Sequence, residues 1–197
     1  VKIILSGAGA AGTAIARLLM LSGATNIIAF DKDGVLHRGS TTDGEMRSWF
    51  ITNTNPANFE GTVHQAMVGA DIFIGVSAPK VLNEEDVASM APGAIVFALA
   101  NPDPEIDPKI ARKYAAVVAT GRSDQPNQIN NVLAFPGIFR GLLDAQAHRI
   151  TDELLVAAAE AIAECVSSSQ LNASYIVPSV FDPNVVIKVT EAVKKLV

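Results

Sequence analysis

The sequence predicts an α/β fold built on a doubly wound, mostly parallel sheet. Short apolar runs rich in β-branched residues alternate with helical patterns along the chain of 197 residues. Hydrophobic residues make up 49% and charged residues 18%, a balance typical of strands that are buried on both faces. The first predicted strand also runs directly into a glycine-rich turn at the start of a helix, which places a ligand-binding loop at the edge of the sheet.

The chain opens with a strand, a turn and a helix. Residues 1–6 predict a strand, the pattern Gly-x-Gly-x-x-Gly follows, and an apolar helix runs to about Leu21. Gly7 permits a sharp turn, Gly9 leaves space for a pyrophosphate, and Gly12 lets the helix approach the sheet. The helix start offers unpaired N–H groups to phosphates. The residues of this turn that we expect to bind the cofactor are Gly7, Ala8, Gly9, Ala10, Ala11 and Gly12.

A second predicted strand, residues 26–30, ends in Asp31, which lies 19 residues after Gly12. An acidic residue at this spacing is suited to bind the hydroxyls of an adenosine ribose. The sequence therefore predicts a Rossmann-type domain that binds a dinucleotide. Because a carboxylate repels a 2′-phosphate, we expect NAD to bind better than NADP, with Lys32 and Arg38 as cations that could weaken this preference.

The segment after Asp31 is polar and interrupted by glycines. Helices are predicted at residues 45–52 and 60–69, and no clear third strand lies between Asp31 and Ala70. We therefore expect an abbreviated first half of the fold.

The rest of the chain continues the alternation of strands and helices. Predicted strands cover residues 71–76, 94–100, 116–120 and 132–135. Predicted helices cover residues 84–91, 108–114, 137–145, 152–166 and 183–195, with capping residues before most of them. Asn83, with Asp86 three residues later, resembles a capping box at the start of the first of these helices. We treat residues 1–197 as one cofactor-binding domain.

Several loops next to predicted strands carry residues suited to ligand binding. Ser77 and Ala78 follow one strand and Asn101 follows the next, so each lies where ligands gather in parallel sheets. An amide can bond a nicotinamide carboxamide or a substrate carboxylate. Asn130 and Asn131 precede the last predicted strand in a similar position. For each asparagine the alternative is a side chain that only stabilises its own turn.

The acidic, proline-rich loop contains three candidate metal ligands. Asp103, Glu105 and Asp107 are three hard oxygen ligands that could bind a divalent cation. They alternate with prolines, and Asp107 is suited to cap the following helix, so we expect no metal site here. Three scattered histidines lack metal-ligand spacing and are interpreted as solvated or structural; they are His37, His64 and His148.

Composition argues against two classes of partner. The net charge of −5 is not accompanied by any basic stripe, so we expect no nucleic-acid partner. Every long apolar run is interrupted by glycine or charge, so we expect no membrane partner. The lone Cys165 cannot form an internal disulfide and favours a reducing, cytoplasmic compartment. The chain lacks an initiating Met and starts inside a predicted strand, which predicts a domain of a longer protein.

Five stretches together resemble the cofactor domain of bacterial malic enzymes. They are GAGAAG, AFDKDGVLHRG, ALANPDPEI, NQINNVLAFPGIFRG and IVPSVFDPNVV, and they extend over essentially the whole chain. The resemblance implies oxidation of malate by hydride transfer to NAD(P), followed by decarboxylation to pyruvate and CO2. It also implies a divalent metal, Mg or Mn, bound by a substrate domain that precedes this chain, and a homodimeric full-length protein.

The resemblance also implies roles for individual residues. The three turn glycines match the pyrophosphate turn of the family, Asp31 matches its ribose acid, and Asn101 and Asn131 match its asparagines at nicotinamide and substrate. The family's catalytic tyrosine and lysine belong to the preceding domain, and Tyr114 and Tyr175 match neither, so we expect no catalytic residue in this chain.

Two other functions remain open at this point. One is the nucleotide domain of another dehydrogenase, of the amino-acid or methylene-tetrahydrofolate type. The other is a non-catalytic, NAD-sensing regulatory domain.

Overall fold

The structure is a computed structural model that describes residues 1–197. The chain forms two compact units, Val1–Gln125 and Pro126–Val197. The sequence showed no boundary at this point, and the treatment of residues 1–197 as one cofactor-binding domain stays a prediction.

A six-stranded sheet forms the centre of the first unit. Its strands are β1 (Lys2–Ser6), β2 (Asn26–Asp31), β3 (Gly34–Val35), β4 (Ile72–Gly75), β5 (Ile95–Ala98) and β6 (Val117–Thr120). Their order across the sheet is β3-β2-β1-β4-β5-β6, and every neighbouring pair is parallel except β2 and β3. The winding direction reverses between β1 and β4, and ligands of open α/β sheets bind outside the strand ends at such a point.

The β3 strand differs from the expectation for the segment after Asp31. It has two residues and pairs antiparallel with β2, placing Val35 opposite Phe30 and Gly34 opposite Asp31. Gly34 has a φ of 116°, which permits the tight reversal. The first half thus has no parallel third strand, and a two-residue antiparallel strand is too short for a hydrophobic period to reveal.

Five helices connect the strands of this unit. They are α1 (Ala10–Leu21), α2 (Glu45–Asn53), α3 (Val63–Met67), α4 (Glu84–Ala88) and α5 (Pro108–Ala111). The predicted capping box of α4 is confirmed, because Asn83 Oδ1 accepts from the Asp86 N–H at 2.9 Å and Asp86 Oδ2 accepts from the Asn83 N–H at 2.8 Å. Local sequence signals therefore fixed where this helix begins.

Separate apolar clusters cover the two faces of the sheet. On β1, Ile4 belongs to one cluster, whereas Ile3 and Leu5 belong to the other. All three side chains are nearly inaccessible to solvent. This alternation follows the two-residue period of a strand. Because the sheet is buried on both faces, the packing fixes the positions of the strand ends that carry the loops.

The second unit contains a short 3₁₀ helix (Asn131–Leu133) and three α-helices, α6 (Phe135–Asp144), α7 (Asp152–Ala163) and α8 (Pro183–Lys194). The prediction of a strand at residues 132–135 is wrong. The apolar run suggested a buried strand, but Asn130 caps the 3₁₀ helix and Pro136 lies in the first turn of α6, where its missing N–H is not needed.

Helices α6 and α8 are in close contact through two buried glycines. A Cβ on Gly137 would lie 2.6 Å from Val189, and a Cβ on Gly141 would lie 2.6 Å from Val193. The absence of side chains at these positions lets the two helices approach each other. None of the helices in residues 1–197 is both long enough and apolar enough to span a lipid bilayer.

Candidate functional site

The glycine turn lies between the end of β1 and the start of α1. Gly7 has a φ of 111°, and a Cβ there would lie 2.9 Å from the Val76 carbonyl oxygen. A Cβ on Gly12 would lie 1.8 Å from the Gly7 carbonyl oxygen. By contrast, a Cβ on Gly9 would meet no protein atom within 4 Å. Packing within the protein therefore requires glycine at positions 7 and 12, whereas the space beside Gly9 is open.

The start of α1 offers uncapped N–H groups at this turn. No side chain caps the helix, and its first turn contains no acidic residue. Ala10 and Ala11 are exposed, whereas Ala8 packs against the core. Unpaired N–H groups and the positive end of the helix dipole favour an anion. The open space beside Gly9 and the absence of a repelling carboxylate therefore fit a pyrophosphate.

Asp31 ends β2, and both of its carboxylate oxygens have partners. Oδ1 accepts from the Asp33 N–H at 2.9 Å, and Oδ2 forms an ion pair with the guanidinium of Arg47. The Arg47 side chain is only 12% exposed and also contacts Asp33 at 3.1 Å and Asp43 at 3.2 Å. Its Nε donates to the Thr41 carbonyl oxygen at 2.8 Å. Arg47 thus anchors this loop, and three carboxylates share its charge.

Sequence reasoning missed Arg47 and named Lys32 and Arg38 as the cations near Asp31. Lys32 bonds the carboxylate of the next residue at 3.1 Å, and Arg38 donates to the Asn55 carbonyl oxygen at 2.6 Å. Neither contacts Asp31. The contact with Arg47 joins a strand end to a helix further along the chain, so no local pattern indicates it.

Ser77 and Ala78 follow β4 and are both exposed. Ser77 Oγ lies 2.5 Å from Ser6 Oγ at the end of β1, and the Ser77 N–H donates to Glu105 Oε1 at 3.0 Å. The first contact holds this loop next to the glycine turn. The Ser77 N–H is occupied within the protein, whereas its hydroxyl oxygen retains capacity to accept a further bond.

Asn101 lies in the loop after β5. Its side chain is exposed and forms no hydrogen bond within the protein. A Cβ on Gly121 would lie 3.4 Å from the amide nitrogen of Asn101 and 3.5 Å from its amide oxygen. A side chain that stabilised its own turn would bond a nearby main-chain group. The geometry therefore gives no support to the turn-stabilising alternative for Asn101.

Asn130 and Asn131 have different environments. Asn130 Oδ1 accepts from the Val132 N–H at 3.0 Å, so Asn130 caps the 3₁₀ helix and the turn-stabilising alternative holds for it. Asn131 is the first residue of that helix, and its exposed side chain forms no hydrogen bond within the protein. Asn101 and Asn131 belong to different units, and each presents an unbonded amide from its own loop.

The acidic loop has structural contacts. Asp107 Oδ1 accepts from the Lys109 N–H at 2.8 Å, so the predicted cap of α5 is confirmed. Glu105 is fully buried and accepts two main-chain hydrogen bonds, whereas Asp103 is exposed. No group of three or more His, Cys, Asp or Glu side chains in residues 1–197 is arranged to hold a metal ion.

The histidines occupy peripheral positions. His64 Nδ1 lies 2.6 Å from Asp86 Oδ1, and His37 Nδ1 accepts from the Gly39 N–H at 3.2 Å. His148 lines a small cavity in the second unit. None of these side chains lies in the glycine turn or in the loops that follow β4 and β5.

Two other reactive side chains are held in their protonated forms. The Tyr114 hydroxyl donates to Glu84 Oε1 at 2.8 Å, and this hydrogen bond raises the pKa of Tyr114. Burial raises the pKa of the Cys165 thiol, which agrees with its interpretation as a residue that fills space beside the helix core.

A cavity of about 700 Å³ lies between the loops around Lys80, Asp103 and Arg122. None of the residues predicted to bind the cofactor lines it. Its lining carries both signs of charge, including Lys109, Arg122, Asp107 and Asp124, so its chemistry favours no particular ligand.

Residues 1–197 match in full the family described as malic enzyme, NAD binding domain. The chain is 52% identical over 193 residues to the NAD-dependent malic enzyme of Geobacillus stearothermophilus, covering 98% of this chain and 40% of that protein. It is 40% identical over 214 residues to the NADP-dependent malic enzyme of Salmonella typhimurium, covering 99% of this chain and 28% of that protein.

A solved structure agrees with these matches. The crystal structure of an NAD-dependent malic enzyme from Thermotoga maritima superposes with a TM-score of 0.92 at 43% identity, covering 98% of this chain and 51% of that one. This chain therefore spans about half, or less, of the length of these relatives. The resemblance seen in the sequence motifs is confirmed, in preference to the other dehydrogenase families. Over its entire length, this chain belongs to the NAD-binding domain family of the malic enzymes.

Proposed function

We propose that this chain is the cofactor-binding part of an enzyme that oxidises malate with NAD(P) and decarboxylates the product to pyruvate and CO2. The observation that carries the proposal is the family match over residues 1–197. The glycine turn supports it, because Gly7 and Gly12 have no room for a side chain and the space beside Gly9 is open. When bound, the nicotinamide accepts a hydride from the substrate. This chain's residues bind and orient the cofactor for that step.

The turn and the neighbouring loops divide this task. Residues 7–12 hold the pyrophosphate through main-chain N–H groups at the start of α1. Asp31 accepts hydrogen bonds from the adenosine ribose hydroxyls. Ser77 and Ala78 border the nicotinamide half, and the amide of Asn101 bonds the carboxamide or the substrate carboxylate. In the second unit, Asn131 carries an exposed, unbonded amide that we assign to the substrate.

The charges around Asp31 support a preference for NAD over NADP. Malic enzymes similar to this chain include proteins named for either cofactor, so the preference must be argued from the residues. Arg47 is the cation nearest to Asp31, and three carboxylates already contact it. A 2′-phosphate at this position would face net negative charge and an arginine whose Nε and Nη1 groups already have partners, which is unfavourable.

The substrate machinery belongs to a domain that this chain does not contain. We place the proton-transferring tyrosine and lysine there, together with the carboxylates that bind Mg or Mn. Homodimerisation of the whole protein and a cytoplasmic location belong to the same proposal. The latter rests on the unpaired, half-buried thiol of Cys165.

The proposal is tested by assaying the purified 197-residue chain for cofactor binding and for malate oxidation. We expect NAD to bind, and we expect no NADH to form from malate with Mg or Mn present, because losing catalytic acids, bases and metal ligands removes many powers of ten in rate. Extending the chain with the segment that precedes it in its gene should give NADH and CO2 in equal amounts. Turnover by the chain alone would contradict the proposal, and NAD binding without turnover by the extended protein would favour a sensing domain.

A further inference from the structure

The carboxylate of Glu105 is fully buried and has no cationic partner. Its Oε1 accepts from the Ser77 N–H at 3.0 Å, and its Oε2 accepts from the Ala100 N–H at 3.1 Å. Burial of a carboxylate without a cation is unfavourable, so these two N–H groups must replace the water that the carboxylate loses. The desolvation of Glu105 therefore opposes folding unless both hydrogen bonds are made.

The site requires a side chain with two acceptor atoms. A carboxylate accepts through both oxygens, whereas a glutamine would bring one acceptor and an NH2 group that cannot accept. Gly75 provides the space, because a Cβ there would lie 2.2 Å from Glu105 Cδ. The last residue of β4 must therefore be glycine for the Glu105 side chain to fit at this position.

The two partners of Glu105 lie in different loops at the ligand-binding edge. Ser77 is in the loop after β4, and Ala100 immediately precedes Asn101 after β5. The main chain strengthens the link, since the Leu82 N–H donates to the Glu105 carbonyl oxygen at 3.1 Å. One residue therefore sets the spacing between the loop that holds Ser77 and the loop that holds Asn101.

We propose that Glu105 is a positioning residue for the nicotinamide half of the dinucleotide, an inference that rests on the cofactor-binding function proposed above. By fixing the two loops, it determines where the Asn101 amide meets the carboxamide of the ring. Glu105 forms no hydrogen bond with the glycine turn or with Asp31. Glu105 is linked to the glycine turn only through Ser77, whose hydroxyl contacts Ser6, so we expect its main effect on the nicotinamide half.

Two probes separate the halves of the cofactor. NADH contains the nicotinamide, and its fluorescence reports the environment of the reduced ring, whereas ADP-ribose has the adenosine and pyrophosphate but no nicotinamide. Glu105→Gln removes one acceptor, and Gly75→Ala displaces the carboxylate without changing it. Glu85→Gln, on the exposed side of α4, is the matched control. Binding is measured on the chain by fluorescence titration and calorimetry, and folding by thermal melting.

We expect Glu105→Gln and Gly75→Ala to bind NADH about tenfold more weakly and with reduced fluorescence enhancement, while ADP-ribose affinity stays within about twofold of wild type. Glu85→Gln should match wild type for both probes. The positioning role would be overturned if the variants lost affinity for NADH and ADP-ribose equally, if they lost affinity for neither, or if both variants failed to fold. If the wild-type chain binds neither probe, the proposed cofactor-binding function fails instead.

Discussion

Alanine at Gly9 and alanine at Gly12 should separate cofactor binding from folding. At Gly12 the new Cβ would lie 1.8 Å from the Gly7 carbonyl oxygen, so the two atoms must move apart by about 1.2 Å to reach the shortest contact that such atoms make. Neither the first turn of α1 nor the glycine turn can move freely, because Gly12 is buried against the sheet. Overpacking of this kind costs about 1–3 kcal/mol.

At Gly9 the same substitution should leave the fold intact. The new Cβ meets no protein atom within 4 Å, and Gly9 has a φ of −88°, which alanine adopts without strain. The loss of entropy in the unfolded chain and the poorer capping by alanine act in opposite directions, so stability should change by less than about 1 kcal/mol. The methyl group would, however, occupy the space that the pyrophosphate needs.

The assay compares thermal melting and NAD affinity in wild type, Gly9→Ala and Gly12→Ala. Gly12→Ala should lower the melting temperature by about 2–4 °C for each kcal/mol lost. Gly9→Ala should keep its melting temperature and bind NAD at least about tenfold more weakly, because each hydrogen bond to a charged group contributes about 1.5–3 kcal/mol. Wild-type NAD affinity in Gly9→Ala, or equal loss of stability in both variants, would refute this reasoning.

Cofactor preference and the two asparagines give further predictions. The chain should bind NAD at least about tenfold more tightly than NADP in calorimetric titrations, and Asp31→Asn should narrow this difference, since like charge at the 2′-phosphate opposes binding; equal wild-type affinities would contradict the argument. In the complete enzyme, Asn101→Ala and Asn131→Ala should keep the wild-type melting temperature and lower turnover of malate by about tenfold to a hundredfold through lost positioning. Normal kinetics with a lowered melting temperature would instead show that both side chains only stabilise their own turns.

The glycine turn could be predicted from sequence because its chemistry is local. Gly7 and Gly12 are separated by a fixed spacing, and the contact between them arises within one βα unit. The cap of α4 by Asn83 was visible for the same reason, since the reciprocal bonds with Asp86 join residues three positions apart. Features of this kind need no knowledge of the tertiary structure.

The features that sequence reasoning missed depend on contacts through space or on ambiguous patterns. Arg47 reaches Asp31 from a separate helix, and Glu105 reaches Ser77 from 28 residues further along the chain. From sequence, Glu105 is a candidate metal ligand only, because the position of an acidic residue in a loop does not indicate whether its side chain is buried. The segment 132–135 was predicted as a strand since a short apolar run fits a buried strand and a helix start equally well.

The central claim is that NAD binds at the glycine turn of this chain, and amide chemical shifts measured during an NAD titration test it most directly. We expect saturable shifts of the amides of residues 7–12 and of Asp31, with smaller changes near Asn101. The amides around the cavity lined by Lys80 and Arg122 should stay close to their starting positions. No shift in the glycine turn at saturating NAD, or saturable shifts confined to that cavity, would contradict the account.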